Sequence, residues 1–170
     1  LEARKLIIKW FFYAVLLWIF TILHIMVFPN LKIYGVSPSL IPILVAVAAM
    51  FEGPKGGAVF GFIAGMLMDA FLYPSEGFYM LFLMIAAMGC GTLAKHLFRK
   101  TITTSLLFSF GTLLLINLIY LVIFQLITGR SGPQAFITIS LPEIIYSIPF
   151  TFIIHLLCRG IYRRWGEYGI

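Results

Sequence analysis

Charge is scarce in this chain, and acid is scarcest. Only 6 Asp and Glu occur in 170 positions, and charged residues of both signs make up 11%. Soluble domains carry about 25% charged residues, so a water-facing shell of ordinary composition is excluded. Cysteine is equally sparse: Cys90 and Cys158 fall within or at the end of apolar runs. That excludes a disulfide framework and predicts two buried thiols. With 3 histidines in all, metal ligands are few. Cys90 and His96 fall on opposite faces of a helix with no third ligand beside them, so neither a metal nor any other cofactor is expected. The phosphate-loop pattern G-x-x-x-x-G-K-[ST] is missing, because EGPKGG shares only its glycines. The first apolar run also lacks a small-residue cleavage site, so it reads as a retained helix instead of a signal peptide.

What is abundant is apolar surface. Hydrophobic residues make up 62% of the sequence and the mean hydropathy is +1.06, more than one core of this size can bury. The solvent is therefore a bilayer, and spans of roughly 20 residues fit about six times into the chain. Segmentation gives six helices in a single all-α transmembrane domain, at about 10–28, 36–51, 56–73, 78–94, 105–127 and 142–158. EGPKGG separates the second from the third, and Pro149 predicts a kink in the sixth. The net charge of +6 does not indicate nucleic acid, because the basic residues are scattered in twos and threes between apolar runs.

Those basic residues orient the spans. With the amino terminus inside, Arg4, Lys5, Lys9, Lys55, Lys95, Arg99, Lys100, Arg159, Arg163 and Arg164 lie on the cytoplasmic side, against Lys32 and Arg130 outside. Fusing the second and third segments would reverse everything downstream and strand Lys55 in lipid. Six crossings with both termini in the cytoplasm are therefore expected. Arg99, Arg163, Arg164 and Trp165 are the expected inner-surface contacts, and Tyr162, Trp165 and Tyr168 suggest a tail lying along that surface, with a solvated positive-inside tail as the plainer reading.

One stretch stands apart. GAVFGFIAGMLMDA places Gly57, Gly61 and Gly65 at every fourth position and a carboxylate, Asp69, on the next beat, so all four share one stripe of a helix. In lipid, small residues at this spacing let backbones touch. The stripe therefore predicts a close seam, with a helix of the same chain or of a partner. Asp69 needs company, since an unpaired carboxylate at mid-bilayer costs on the order of 3 kcal/mol. The candidates are a backbone cap near Tyr73 and Pro74, a donor such as Lys32, Arg130, Gln125 or the amides ahead of Glu143, a partner protein, or a bound substrate or proton. Among the other polar residues of the spans, His24, Asn117, Gln125, Glu143 and His155 read as interhelical hydrogen bonds. Glu143 follows Pro142 in a first helical turn, where the helix dipole favours a carboxylate.

No catalytic machinery is expected. Gly129–Gly132 spells G-x-S-G, the nucleophile motif of intramembrane serine proteases. Ser131, however, precedes the sixth helix on the outside, and His155 lies 24 residues on, about 36 Å if helical. A base must come within about 3 Å of its nucleophile, so GRSGP reads as a turn. A paired-aspartate protease needs two facing carboxylates, and only Asp69 sits well within a span.

Taken together, Pro38 opening the second span, the turn Gly53-Pro54-Lys55, the run Gly57, Gly61, Phe62, Gly65, Asp69, and Gly77 before the fourth span resemble the MreD family of rod shape-determining proteins. The specific likeness covers residues 36–94. Members of that family often carry a polar or acidic residue directly after the second-span proline, where this chain has Ser39. The resemblance implies a non-catalytic, multi-pass protein of the bacterial inner membrane, in the elongation machinery that lays down lateral peptidoglycan. It implies MreC as direct partner, with MreB, RodA and a class B penicillin-binding protein in the same complex. It also implies the fold of the S components of energy-coupling-factor vitamin transporters, which makes a small-molecule binder the alternative. Gly57, Gly61, Gly65 and Asp69 are the positions it carries over, as architecture or docking surface.

Overall fold

The computed structural model describes residues 2–30, 37–71, 77–97, 99–128 and 136–165. Among these residues the long elements are helices: α1 (Glu2–Met26), α2 (Leu40–Phe71), α3 (Phe78–His96), α4 (Ile102–Thr128) and α5 (Leu141–Trp165). A 3-10 turn, Phe28–Asn30, follows α1, and a π-helical turn, Phe136–Ser140, leads into α5. All 5 helices are long and apolar enough to cross a membrane. Helix is the expected form there, because each segment must satisfy its own backbone N–H and C=O groups where water is absent. The architecture is that of a helical membrane protein.

Helix α2 is really two arms. At Gly53 the backbone adopts φ 82 and ψ −175, a region open to glycine and strained for other residues. Pro54 follows in a first-turn position, where its missing N–H has no intrahelical partner to lose. A Cβ built on Gly57 would lie 2.6 Å from the Cβ of Ala49 and 2.9 Å from its Cα. Eight residues along a continuous helix are about 12 Å apart. The chain therefore doubles back at Gly53, and the arms 40–52 and 54–71 lie side by side.

The first arm is the centre of the molecule. Every residue from Leu40 to Phe51 is buried, and α2 touches each of the other four long helices. LIPILVAVAAMF is apolar on all sides, the composition of a helix with no solvent face. At about 1.5 Å per residue it is some 18 Å long, and its burial permits this, because protein and not lipid surrounds its ends.

Contacts at the two ends of the bundle set the course of the chain. At one end Lys9 of α1 meets Glu52 at 2.6 Å, Lys100 Nζ donates to the Phe51 carbonyl at 2.8 Å, and Gly91 of α3 abuts Gly53. At the other end Phe28 meets Phe150, ring centroids 6.2 Å apart, and Ser39 bonds Glu143. The first arm of α2 thus runs against α1, and the second arm runs against α3.

The outer helices α1 and α5 outrun their hydropathic segments, whereas the first arm of α2 starts inside its own. α1 is helical from Glu2 where a start near Trp10 is expected, and the first arm of α2 is helical from Leu40, after three non-helical residues at 37–39. α5 continues through Pro149 and past Cys158 to Trp165. Tyr162–Trp165 thus form the last turn of α5, and the Trp165 ring stacks on Phe12 at 6.4 Å. The physical reason is that hydropathy marks where lipid begins, whereas a helix ends only where a stop signal or the dipole opposes it. Arg163 and Arg164 in the last turn are favoured there by the dipole. Val36, Lys32, Arg130, the GRSGP turn, Tyr73, Pro74, Tyr168 and the side chain of Gln125 lie outside the described residues.

Candidate functional site

The glycine stripe faces inward. Gly57, Gly61 and Gly65 are buried, and what each meets belongs to the same chain. A Cβ on Gly61 would lie 2.5 Å from the Leu83 carbonyl oxygen and 2.9 Å from the Ala87 Cβ; one on Gly65 would lie 2.6 Å from the Tyr79 carbonyl oxygen and would strike the Met80 backbone. Helix α3 answers with its own small residues at four-residue spacing, Ala87 and Gly91, both buried. Each helix thus removes side chains where the other presents backbone, the arrangement by which helices associate in lipid. The stripe fills its groove from within the chain.

Asp69 ends the same seam. Its Oδ1 accepts the Tyr79 N–H at 3.1 Å and its Oδ2 the Met80 N–H at 2.9 Å. These are the second and third residues of α3, whose first N–H groups have no intrahelical acceptor. The residue at the N-cap position is Gly77, at φ 86. It supplies the left-handed turn but has no side chain with which to cap. The carboxylate of the preceding helix does so instead, one helical turn beyond Gly65. Among the described residues Asp69 thus meets the amides of Tyr79 and Met80; the expected donors Lys32, Arg130 and the Gln125 side chain lie outside the described residues. The cap shown is on the start of the next helix.

A second polar cluster went unseen in the sequence. Glu143 reaches across the bundle: Ser39 Oγ donates to its carboxylate. The Ser39 N–H donates to Ser147 Oγ at 3.0 Å, and Ser147 Oγ in turn donates to the Glu143 carbonyl at 2.6 Å. These contacts tether the start of the central arm to α5. Glu143 thus makes the interhelical hydrogen bond expected of a polar residue within a span, beside its place in the first turn of its own helix. The signal that could have found the cluster was Ser39 itself, a cap-type residue directly before the apolar run. Its distance of 104 residues from Glu143 hid the partner.

The remaining polar residues are dispersed. His155 is buried, with Nδ1 2.5 Å from Ser105 Oγ, and the Asn117 Nδ2 donates to the Leu113 carbonyl at 3.0 Å. His24 is buried with its ring 5.8 Å from that of Phe28. Both cysteines are free and buried, Cys90 lying 3.5 Å from the Thr112 hydroxyl. Arg99, Arg163 and Arg164 are exposed, and Trp165 is half-buried. Among the described residues no group of 3 or more His, Cys, Asp or Glu could hold a metal ion.

Comparison of the chain with models of known protein families, with curated proteins and with solved structures finds no match.

Proposed function

We propose that this chain is a non-catalytic scaffold of the bacterial inner membrane, of the rod shape-determining MreD type, that docks the single-span protein MreC and helps position the peptidoglycan synthases. The reading takes the chain across the membrane six times with both termini in the cytoplasm. The reversal at Gly53 supports it, since that turn divides the longest helix into two antiparallel arms and keeps Lys55 with the other cations.

The observation that carries the proposal is the fate of the residues behind the resemblance. Gly53 makes the turn, Gly57, Gly61 and Gly65 make the seam, Asp69 caps α3, and Gly77 opens it. These six are spent on the two helix hairpins that share the second arm of α2, as expected of positions that serve architecture. A partner helix is then left the lipid-facing sides of the bundle, because the α2–α3 groove is occupied.

Co-purification tests this. The chain, solubilised in mild detergent, is expected to retain MreC and to carry no vitamin-sized ligand. Failure to retain MreC together with a stoichiometric small molecule would replace the scaffold by a substrate-binding S component.

A further inference from the structure

A cleft of about 670 Å³ opens at the end of the bundle where α2 turns at Gly53. Four lysines line it, Lys9 from α1, Lys55 from the second arm of α2, Lys95 from the end of α3 and Lys100 before α4, and Glu52 is its one carboxylate. Glu52 neutralises Lys9 at 2.6 Å, the two side chains being 8% and 2% exposed. Lys100 is held in place, its ammonium 3.9 Å from the centroid of the Tyr162 ring and bonded to the Phe51 carbonyl. Lys55 and Lys95 are exposed. The cleft therefore holds three cations in excess of its acids, drawn from three separate elements. An anion there meets charge from several sides.

Its lining identifies the kind of anion. Trp10 and Tyr162 line the walls beside Leu6, and amphipathic rings of this kind sit at headgroup level in membrane proteins. The lysine stems can lie along apolar surface while their ammonium groups reach the polar layer. We infer that this cleft binds the phosphodiester of an anionic phospholipid headgroup, with Lys55, Lys95 and Lys100 as its cationic contacts. Basic pockets between membrane helices take lipid headgroups in this way. Such a lipid would join the α2 turn to the end of α3 and the start of α4. The inference rests on the membrane-spanning character of the helices and not on MreC binding, so the loss of one leaves the other standing.

Native mass spectrometry of the full chain, released from detergent after incubation with phosphatidylglycerol or phosphatidylcholine, tests it. Phosphatidylglycerol adducts are expected to exceed phosphatidylcholine adducts at least fivefold, and the double variant Lys55→Gln/Lys95→Gln to lose that preference. Arg163→Gln/Arg164→Gln, which removes the same charge from the neighbouring surface, is expected to keep it. Equal loss in both double variants would mean a diffuse attraction to positive charge and overturn the site. So would displacement of the lipid by millimolar inorganic phosphate or by an acidic peptide, which would assign the cleft to a soluble ligand. A thermal melt of each variant in detergent alone checks folding, and unchanged adducts in a folded Lys55→Gln/Lys95→Gln chain would overturn the inference.

Discussion

Lys9 and Glu52, 43 residues apart, meet at 2.6 Å with almost no solvent between them. The pair fastens α1 to the turn of α2 at the end of the bundle where most of the described basic residues gather. Buried ion pairs add little net stability over an apolar pair of the same shape, but removing one partner strands the other. Lys9→Met is therefore expected to destabilise by about 3–5 kcal/mol. Lys9→Met with Glu52→Leu is expected to recover most of that loss. Equilibrium unfolding in mixed micelles measures both, and a double variant no better than the single one would show that the pair acts through something other than stranded charge.

The seam predicts opposite outcomes for two glycine-to-alanine changes. At Gly65 an added methyl would strike the α3 backbone, which cannot step aside as a flexible side chain could. Gly65→Ala should cost about 1–3 kcal/mol, and Gly65→Leu or Gly61→Leu more. A Cβ at Gly89 meets nothing within 4 Å, so Gly89→Ala should be neutral or mildly stabilising through helix propensity. Melting temperatures of the two alanine variants decide it. Similar values would remove the close approach from the account.

For Asp69, the second acceptor oxygen is the discriminating feature. Asp69→Ala leaves two first-turn amides without an acceptor and should cost about 1–2 kcal/mol, while Asp69→Asn keeps one acceptor and should cost less than half of that. Hydrogen exchange at Tyr79 and Met80 reports the cap directly. If exchange there is unchanged in Asp69→Ala, the carboxylate is not the cap. MreC retention unchanged in Asp69→Asn would agree with an architectural role.

Ser39 and Glu143 offer a test of the long-range tether. Hydrogen bonds between membrane helices are worth about 0.6 kcal/mol on average and up to about 1.7. A double-mutant cycle of Ser39→Ala and Glu143→Gln is expected to give a coupling within that range. Zero coupling would mean that the two side chains are neighbours without mutual stabilisation.

The proposed threading is tested by labelling. Single cysteines at Lys55, Arg99 and Arg163 are expected to react with an impermeant maleimide from the same side of the membrane. Opposite reactivity of Lys55→Cys and Arg99→Cys would mean that the turn at Gly53 does not reverse the chain across the bilayer.

The sequence by itself determined the solvent, the helical form, the break in the second apolar region and the glycine rhythm. Each follows from composition or from spacing within about one helical turn, where the physics is local: lipid demands apolar side chains and internally bonded backbone, and four-residue spacing makes a stripe. Only the tertiary structure decided which helix is central, that α3 fills the stripe, that Asp69 caps the next helix, and that Ser39 finds Glu143. Helices in lipid gain nothing from hiding apolar faces from one another. Hydropathy therefore cannot rank the neighbours of a segment. Partner choice rests on the fit of small residues and a few polar atoms that are distant in the chain, and folding alone brings these together.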